Sequence, residues 1–391
     1  MRQSSDNTSM GEAPAAHKDT LRSFITTLAS FSGDLSALTC PSFLLSSVSL
    51  LEYSQYWGDH PKLFASISSG TTPEDRLLSC TRWFISTLYS SYSSRSTASG
   101  MEKKPYNPIL GEQYFAQWTG DQETGDLFLK AEQVSHHPPI MAFHLENKTA
   151  GVILEGQCGQ KSHFAMPAGI NVSQTGHAIV TLPKFNETYL ITLPTLHIRG
   201  IITGRPTLEL AGSSYIISSV GHITTIEYSS KGFFSGERNH FEAILRPIEE
   251  NEDPFYKAQG VWSKVSTLST CNRNGNRAIG NEIGKSIKKD NKSNHLSTGQ
   301  PFFDAQTDKA IPPELKPLDQ MGPLESLKLW APVTQAILNN DYNAASKEKS
   351  QIEEAQRALA KARKEKGQTQ ADDLKLFKFI LFVCIEPMIV T

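Results

Sequence analysis

The sequence predicts a mainly β protein with additional helices, built on one large antiparallel sheet or barrel. Between about residues 110 and 265, short runs alternate apolar and polar side chains with the period of two that strands require. Turn-forming residues such as Gly120-Asp121 and Glu146-Asn147 recur between these runs. Helical spacing occurs only on either side of this region. The strand–helix alternation that would indicate a parallel sheet is therefore not seen.

Composition limits the classes of function. The chain has 391 residues, and its 38% hydrophobic content allows a sizeable core. The formal net charge of −2 gives no broad positive field, so nucleic acid is not an expected partner and any anion site must be local. The five cysteines show no paired short spacing, which argues against a disulfide framework or a zinc site and favours a reducing, cytoplasmic setting.

The N-terminal region begins with residues 1–17, which we expect to be a disordered tail without the apolar segment of a signal peptide. Residues 18–33 are predicted to form an amphipathic segment, with a helix over about 20–31 that Asp19 or Thr20 caps and Gly33 ends. Its apolar side chains fall within an arc of roughly 120°, opposite a Ser/Thr face with one charge: Leu21, Phe24, Ile25, Leu28 and Phe31.

The rest of the chain divides by composition. Residues 34–266 are predicted to hold helical stretches near 47–57 and 75–92, followed by the sheet, in which Tyr114, Ala116 and Trp118 alternate with polar or outward residues. Residues 267–300 indicate a flexible insertion because they are rich in Asn, Ser, Gly and Lys. Residues 301–376 form a C-terminal helical part of the same domain, with helices over 324–339 and 343–366. Residues 377–391 are an atypical apolar tail, too short to span a membrane.

The segment Glu132–Pro139 contains the most unusual local feature, two histidines followed by two prolines. The prolines stop the preceding strand, and in the resulting turn His136 and His137 can approach one target. Imidazoles can donate hydrogen bonds to a phosphate. Taken alone, such a pair is more often a structural feature. Zinc is a poorer interpretation because no second ligand cluster accompanies it.

Two further groups are compatible with an anion site. Lys349, Glu353 and Arg357 share one face of the last predicted helix because they are spaced by four residues. A solvated ladder of ion pairs is the commoner role of such a pattern, and the phosphate-binding role stays open. The turn that contains Lys104 and Asn107 is likewise either ordinary surface or a second contribution to anion binding.

Enzymatic signatures are not found. No Gly-x-Ser-x-Gly elbow occurs, the carboxylates show no pairing for acid–base chemistry, and Gly280–Ser286 is one residue short of a P-loop. We therefore expect a non-enzymatic protein. The segment Gln300–Ala305 contains two adjacent phenylalanines but no acidic tract before them, and we interpret it as a strand or a linker.

Together these motifs resemble the oxysterol-binding protein family in its short form. Glu132–Pro139 looks like the signature of that family, and the resemblance runs in order over about 20–366. The other matching segments are Phe31–Ser36, Tyr53–Trp57, Trp83–Leu88, Lys103–Glu112, Leu196–Gly200, Lys231–Gly236, Gly260–Trp262, Pro323–Ser326 and Glu353–Arg357.

The resemblance implies a fold, a function and a set of residues. It implies an incomplete antiparallel barrel around an apolar lipid tunnel, closed by an N-terminal helical lid. The implied function is transfer of lipid between membranes, exchanging sterol for phosphatidylinositol 4-phosphate. A lipid sensor or scaffold without net transport, or a carrier of another lipid such as phosphatidylserine, are the alternatives. The implied head-group residues are Lys104, Asn107, His136, His137, Lys349, Glu353 and Arg357, and the lid and tunnel residues are Leu21, Phe24, Ile25, Leu28, Tyr92 and Gln174.

The resemblance also implies lipid ligands in place of a cofactor, a monomer, and transient peripheral contact with endoplasmic reticulum and Golgi membranes. Departures from the family pattern concern the sterol site. Leu21 replaces an aromatic residue of the lid, Ser91 replaces a glutamine before Tyr92, and Cys158 replaces an asparagine. Leu327 replaces an arginine that often follows the matching serine. After Gly367 the resemblance stops, and the tail Phe377–Thr391 looks unrelated to the family.

Overall fold

The computed structural model describes residues 18–31, 33, 35, 38–93, 103–165, 169–200, 207–229, 238–249, 252–271 and 299–377. The predicted tail 1–17, most of the predicted insertion and residues 378–391 lie outside these ranges. Six α-helices are described, at α1 Lys18–Ser30, α2 Pro61–Ala65, α3 Pro73–Tyr92, α4 Ser326–Leu329, α5 Ala331–Leu338 and α6 Tyr342–Glu365.

A thirteen-stranded sheet dominates the fold. Two further strands, β1 Leu45–Ser49 and β2 Lys104–Tyr106, pair in parallel outside it. The strands of the large sheet are β3 Gln113–Trp118, β4 Leu127–Ser135, β5 Ile140–Asn147, β6 Val152–Ala165, β7 Gly169–Leu182, β8 Glu187–Ile191, β9 Thr195–Arg199, β10 Thr207–Ser218, β11 His222–Ser229, β12 His240–Pro247, β13 Tyr256–Val261, β14 Val265–Thr270 and β15 Gln300–Asp304.

The sheet is antiparallel and open. Its order is β15-β14-β13-β12-β11-β10-β8-β7-β6-β5-β4-β3, and β9 also pairs with β10 and β7. The edge strand β3 is covered by an extended segment, in which Glu314 bridges Gln117 and the Ile311 carbonyl accepts a 2.8 Å hydrogen bond from the indole N–H of Trp118. The expected class, a mainly β fold with an incomplete antiparallel barrel and terminal helices, is confirmed.

Helix α3 packs against the inner face of this sheet. It begins at Pro73 with a capping box between Thr72 and Asp75. Trp83, Phe84 and Leu88 are almost fully buried in one core cluster with inward-facing strand residues such as Tyr114, Ala116 and Trp118. The predicted alternation of β3 is therefore confirmed, because these three side chains face the core.

A buried ion pair fixes the start of α3 to the sheet. Arg76 on α3 and Glu187 on β8 have side chains that are only 5% and 4% exposed. The Arg76 Nε–H donates to Glu187 at 2.8 Å, and the Tyr189 hydroxyl donates to the same carboxylate at 2.7 Å. These donors lower the pKa of Glu187, with the Arg76 hydrogen bond as the largest cause.

A second apolar cluster joins β1 and β2 to the C-terminal helices. Tyr106 stacks on Trp330 with ring centroids 4.7 Å apart. Beside them, buried Glu112 accepts hydrogen bonds from Ser326 Oγ at 2.7 Å and from Trp330 Nε1 at 3.0 Å. Phe24 of α1 packs against this cluster, so α1 contacts the part of the molecule that carries α5 and α6.

Three local predictions differ from the structure. The helical stretch predicted over 47–57 is a strand to Ser49 and then a 3₁₀ helix, Leu50–Gly58, because Ser49 and Glu52 form a capping box. Helix α1 is described from Lys18, so neither Asp19 nor Thr20 caps it. The insertion predicted from residue 267 starts too early, since β14 continues to Thr270. Gln300–Asp304 is strand β15, which confirms the strand interpretation of this segment.

Candidate functional site

His136 and His137 lie in the turn between β4 and β5, as the prolines predicted. Their ring centroids are 4.5 Å apart. His136 is half-buried, its Nδ1 lies 3.1 Å from the Pro108 carbonyl oxygen, and its backbone N–H donates to Gln370 Oε1 at 2.9 Å. Because a carbonyl only accepts, Nδ1 carries the proton and Nε2 is the nitrogen left for a ligand.

The electrostatic surroundings keep His136 neutral. Burial lowers its pKa, and the neighbouring His137 and Arg363 lower it further. The Pro108 carbonyl and Glu353 act in the opposite direction. His136 therefore interacts electrostatically with Glu353 and Arg363 of α6. Both of these residues are distant from His136 in the sequence.

Lys104 and Lys349 both lie within electrostatic range of a third residue, Cys40. Burial raises the pKa of the Cys40 thiol to about 11, and the positive charges of Lys104 and Lys349 both oppose this rise. Lys349 also forms an ion pair with Glu353 one turn along α6, and its side chain is only 12% exposed. A lysine of β2 and a lysine of α6 thus both act electrostatically on one buried thiol.

The remaining predicted head-group residues flank this arrangement. Asn107 is half-buried and directly precedes Pro108, whose carbonyl contacts His136. Arg357 is exposed, one turn beyond Glu353 on α6. We call the seven predicted residues the candidate phosphate site: Lys104, Asn107, His136, His137, Lys349, Glu353 and Arg357. The contacts of His136 with Pro108 and its electrostatic interaction with Glu353 connect three segments of the chain: the β2 segment, the turn after β4, and α6.

Sequence reasoning missed the contribution of the C-terminal end. Residues 369–377, here called the C-terminal strap, follow α6 and return to β4. Gln370 reaches the backbone of His136, and Arg363 pairs with Asp373 of the strap. The buried carboxylate of Glu132 accepts hydrogen bonds from the backbone N–H groups of Lys375, Leu376 and Phe377 at 2.8, 2.8 and 3.1 Å. No local pattern in the sequence predicts these contacts.

The predicted tunnel residues Tyr92 and Gln174 are in direct contact. Gln174 Nε2 lies 2.8 Å from the Tyr92 hydroxyl and 2.7 Å from the Pro194 carbonyl oxygen. The ring of Tyr92 meets that of Trp262 edge-on at 6.4 Å. Cys158 is half-buried against the same core, where burial raises its pKa to about 12.

The predicted lid residues are only partly described. Leu28 is 5% exposed, whereas Phe24 and Ile25 are half-buried. The side chain of Leu21 lies outside the described part of the structure. Phe24 packs on the cluster that includes Cys40 and Tyr106, so α1 contacts the part of the fold that carries β2.

Among the described residues, no group of three or more His, Cys, Asp or Glu side chains is placed to hold a metal ion. Among the helices of the described part, none is both long and apolar enough to cross a membrane.

Comparison with known proteins identifies the family. The model of the Oxysterol-binding protein family matches residues 23–378, so the chain belongs to the oxysterol-binding protein family. This family comprises lipid-binding and lipid-transfer proteins. The match also extends beyond Gly367, where the expectation that the resemblance stops was wrong; the C-terminal strap is part of the family's domain.

Curated relatives cover nearly the whole chain. The chain is 42% identical over 366 residues to "Protein kes1" of Schizosaccharomyces pombe, covering 93% of this chain and 89% of the relative. It is 42% identical over 357 residues to "Protein KES1" of Mycosarcoma maydis, covering 90% and 86%.

Solved structures share the fold. The Osh1 ORD domain in complex with ergosterol matches with a TM-score of 0.67 at 20% identity, over 92% of this chain and 82% of that one. The Osh3 ORD of Saccharomyces cerevisiae in complex with PI(4)P matches with a TM-score of 0.63 at 21% identity, over 91% and 86%.

Proposed function

We propose that this protein exchanges a sterol for phosphatidylinositol 4-phosphate between membranes, and that the candidate phosphate site holds the head group. The observation that supports the proposal is that residues of three distant segments interact: Lys104 and Lys349 both act electrostatically on Cys40, and His136 interacts with Glu353, the ion-pair partner of Lys349. The ring of His136 also contacts Pro108, on the segment that carries Lys104. Two lysines and a histidine that can donate once its Nε2 is protonated suit a phosphate monoester.

The division of labour between tunnel and head-group site follows from physical chemistry. Burying the apolar body of a lipid stabilises its complex by about 25 cal/mol per Å². That contribution favours many lipids of suitable shape. A few placed cations and hydrogen-bond donors then select a phosphorylated head group among them.

Sterol is proposed as the second lipid because polar groups remain inside the sheet. Tyr92 and Gln174 form one polar pair, and within the described part of the chain the Trp262 indole N–H beside them has no hydrogen-bond partner. A lipid with a single hydroxyl suits such a place. Ser91 and Cys158 depart from the family pattern in this region. We therefore expect Tyr92, Gln174 and Trp262 to determine which sterol binds best. The solved relatives include a complex with ergosterol and one with PI(4)P.

The decisive experiment compares lipid extraction by matched variants. The wild-type protein is expected to extract phosphatidylinositol 4-phosphate from liposomes, and the double variant His136→Ala with His137→Ala is expected to lose this extraction. A control double variant, His163→Ala with His240→Ala, removes two histidines outside the site and should extract normally. Undiminished extraction by the first double variant would contradict the assignment of the head-group site.

Transport is tested separately from binding. Vesicle-to-vesicle transfer faster than the spontaneous rate supports an exchanger, whereas binding without acceleration supports a sensor or scaffold. Chemical change of the bound lipid would revive an enzymatic role.

Membrane contact is proposed to be transient and peripheral, made by a monomer on endoplasmic reticulum and Golgi membranes. The exposed face of α1 supports this, because it presents Ser23, Thr26 and Thr27 beside Arg22. Such a face is expected to favour loosely packed or curved bilayers over strongly anionic ones. Equal binding to large and small vesicles of one composition would argue against this preference.

A further inference from the structure

The C-terminal strap is attached to the body through apolar and polar contacts. Leu374 is fully buried and Phe377 is 6% exposed, and both pack with Leu110, Val134 and Ala142 on β4, β5 and the segment before β3. A 3₁₀ turn, Gln370–Asp373, opens the strap with a capping box between Thr369 and Asp372. The strap is therefore an ordered part of the fold, placed over the strand that ends at the histidines.

Two polar anchors hold the middle and the end of the strap. Towards α6, Arg363 pairs with Asp373, and the Arg363 side chain is only 12% exposed. Towards β4, the Glu132 carboxylate accepts the three backbone N–H groups of residues 375–377. Gln370 lies in the loop that the Arg363–Asp373 pair closes, between the end of α6 and the residues that Glu132 holds.

Gln370 makes one contact that bears on the candidate phosphate site. The ladder between β4 and β5 ends where Ser135 pairs with Ile140, so His136 lies just beyond it. In place of a strand partner, the His136 backbone N–H donates to Gln370 Oε1 at 2.9 Å. Its ring is held at the other side by the Pro108 carbonyl, 3.1 Å from Nδ1. These two contacts orient the free Nε2.

We propose that Gln370 is a positioning residue for phosphate recognition, acting through His136, and that the C-terminal strap holds it in place. Without the Gln370 amide oxygen, the backbone N–H of His136 loses its acceptor. The Pro108 contact alone then orients the ring. The imidazole then samples orientations in which Nε2 does not face the phosphate. This proposal rests on the proposed function, because it assigns a role within the head-group site.

The test is a double-mutant cycle measured by phosphatidylinositol 4-phosphate binding. Gln370→Met keeps the length of the side chain and removes the acceptor. Its exposed neighbour Gln368 provides the matched control, Gln368→Met. We expect Gln370→Met to weaken binding about fivefold, the effect of one hydrogen bond, with the thermal unfolding midpoint close to that of the control. In the His136→Ala background, Gln370→Met should have no further effect.

The outcomes separate the two proposals. If the wild-type protein does not bind phosphatidylinositol 4-phosphate, the proposed function is wrong. If it binds and Gln370→Met equals Gln368→Met, only the role of Gln370 is wrong. An equal loss with and without His136 would show that Gln370 acts on the fold rather than through the histidine. Should Gln370→Met not fold, Gln370→Asn shortens the reach by one methylene and is expected to give the same loss and the same coupling.

Discussion

Replacing Glu132 by Gln tests how the C-terminal strap is held. The carboxylate of Glu132 is fully buried and accepts three backbone N–H groups, with one oxygen facing Lys375 and the other facing both Leu376 and Phe377. Glutamine has nearly the same shape but only one acceptor oxygen. Its NH₂ group would face at least one buried N–H, so a donor would meet a donor.

The expected cost follows from that mismatch. Leaving one buried donor unsatisfied costs about 2 to 3 kcal/mol, because the lost acceptor is charged. The loss acts on local opening of the strap, which is attached to the body by this carboxylate and by the apolar contacts of Leu374 and Phe377. At about 1.4 kcal/mol for each factor of ten, the opening constant should rise about 30- to 150-fold.

Hydrogen exchange measured by mass spectrometry reports this opening directly. The peptide that contains residues 374–377 should exchange faster in Glu132→Gln, whereas peptides from α3 should be unchanged. Glu227→Gln, at an exposed position of β11, is the matched control. Unchanged protection of the strap in Glu132→Gln would refute the conclusion that this carboxylate anchors it.

Four further predictions concern charge and stability. Because burial lowers the pKa of His136 and its Nδ1 proton faces Pro108, donation to a phosphate requires protonation of Nε2. Affinity for phosphatidylinositol 4-phosphate, measured by calorimetry, should therefore increase as the pH falls towards and below about 6.5. A slope that survives His136→Ala would exclude this group. Without ligand, the same lowered pKa means that the unfolded chain binds more protons, so the contribution of His136 to stability declines as the pH falls below about 6.5. Arg76→Met leaves Glu187 charged and buried without its partner. The free energy of unfolding, measured in urea, should fall by about 3 to 5 kcal/mol. A fall of less than about 1 kcal/mol, the range found for ion pairs at the surface, would contradict the burial of this pair. Lys349→Met should reduce phosphatidylinositol 4-phosphate binding about tenfold, compared with Lys347→Met on the exposed side of α6, and equal affinities of the two variants would remove Lys349 from the site.

Most of the local elements and the residues of the candidate site could be predicted from the amino-acid sequence. Apolar spacing predicted α1 and α6, alternation predicted β3, and the two prolines predicted the turn at His136. These signals are local, because a helix or a strand repeats within a few residues and a proline acts on its own backbone. Resemblance to a family then indicated that Lys104, His136 and Lys349 serve one ligand.

The contacts between these elements became known from the tertiary structure alone. The contact of Glu132 with Phe377 joins residues 245 positions apart, and that of Gln370 with His136 joins residues 234 positions apart. Such pairs leave no periodic trace, because any buried N–H and any acceptor can satisfy each other once the chain brings them together. The strand over 45–49 was missed for a related reason, since its partner β2 lies more distantly in the chain. Strand pairing and side-chain packing determine whether a strand or a helix forms where the local sequence is compatible with both.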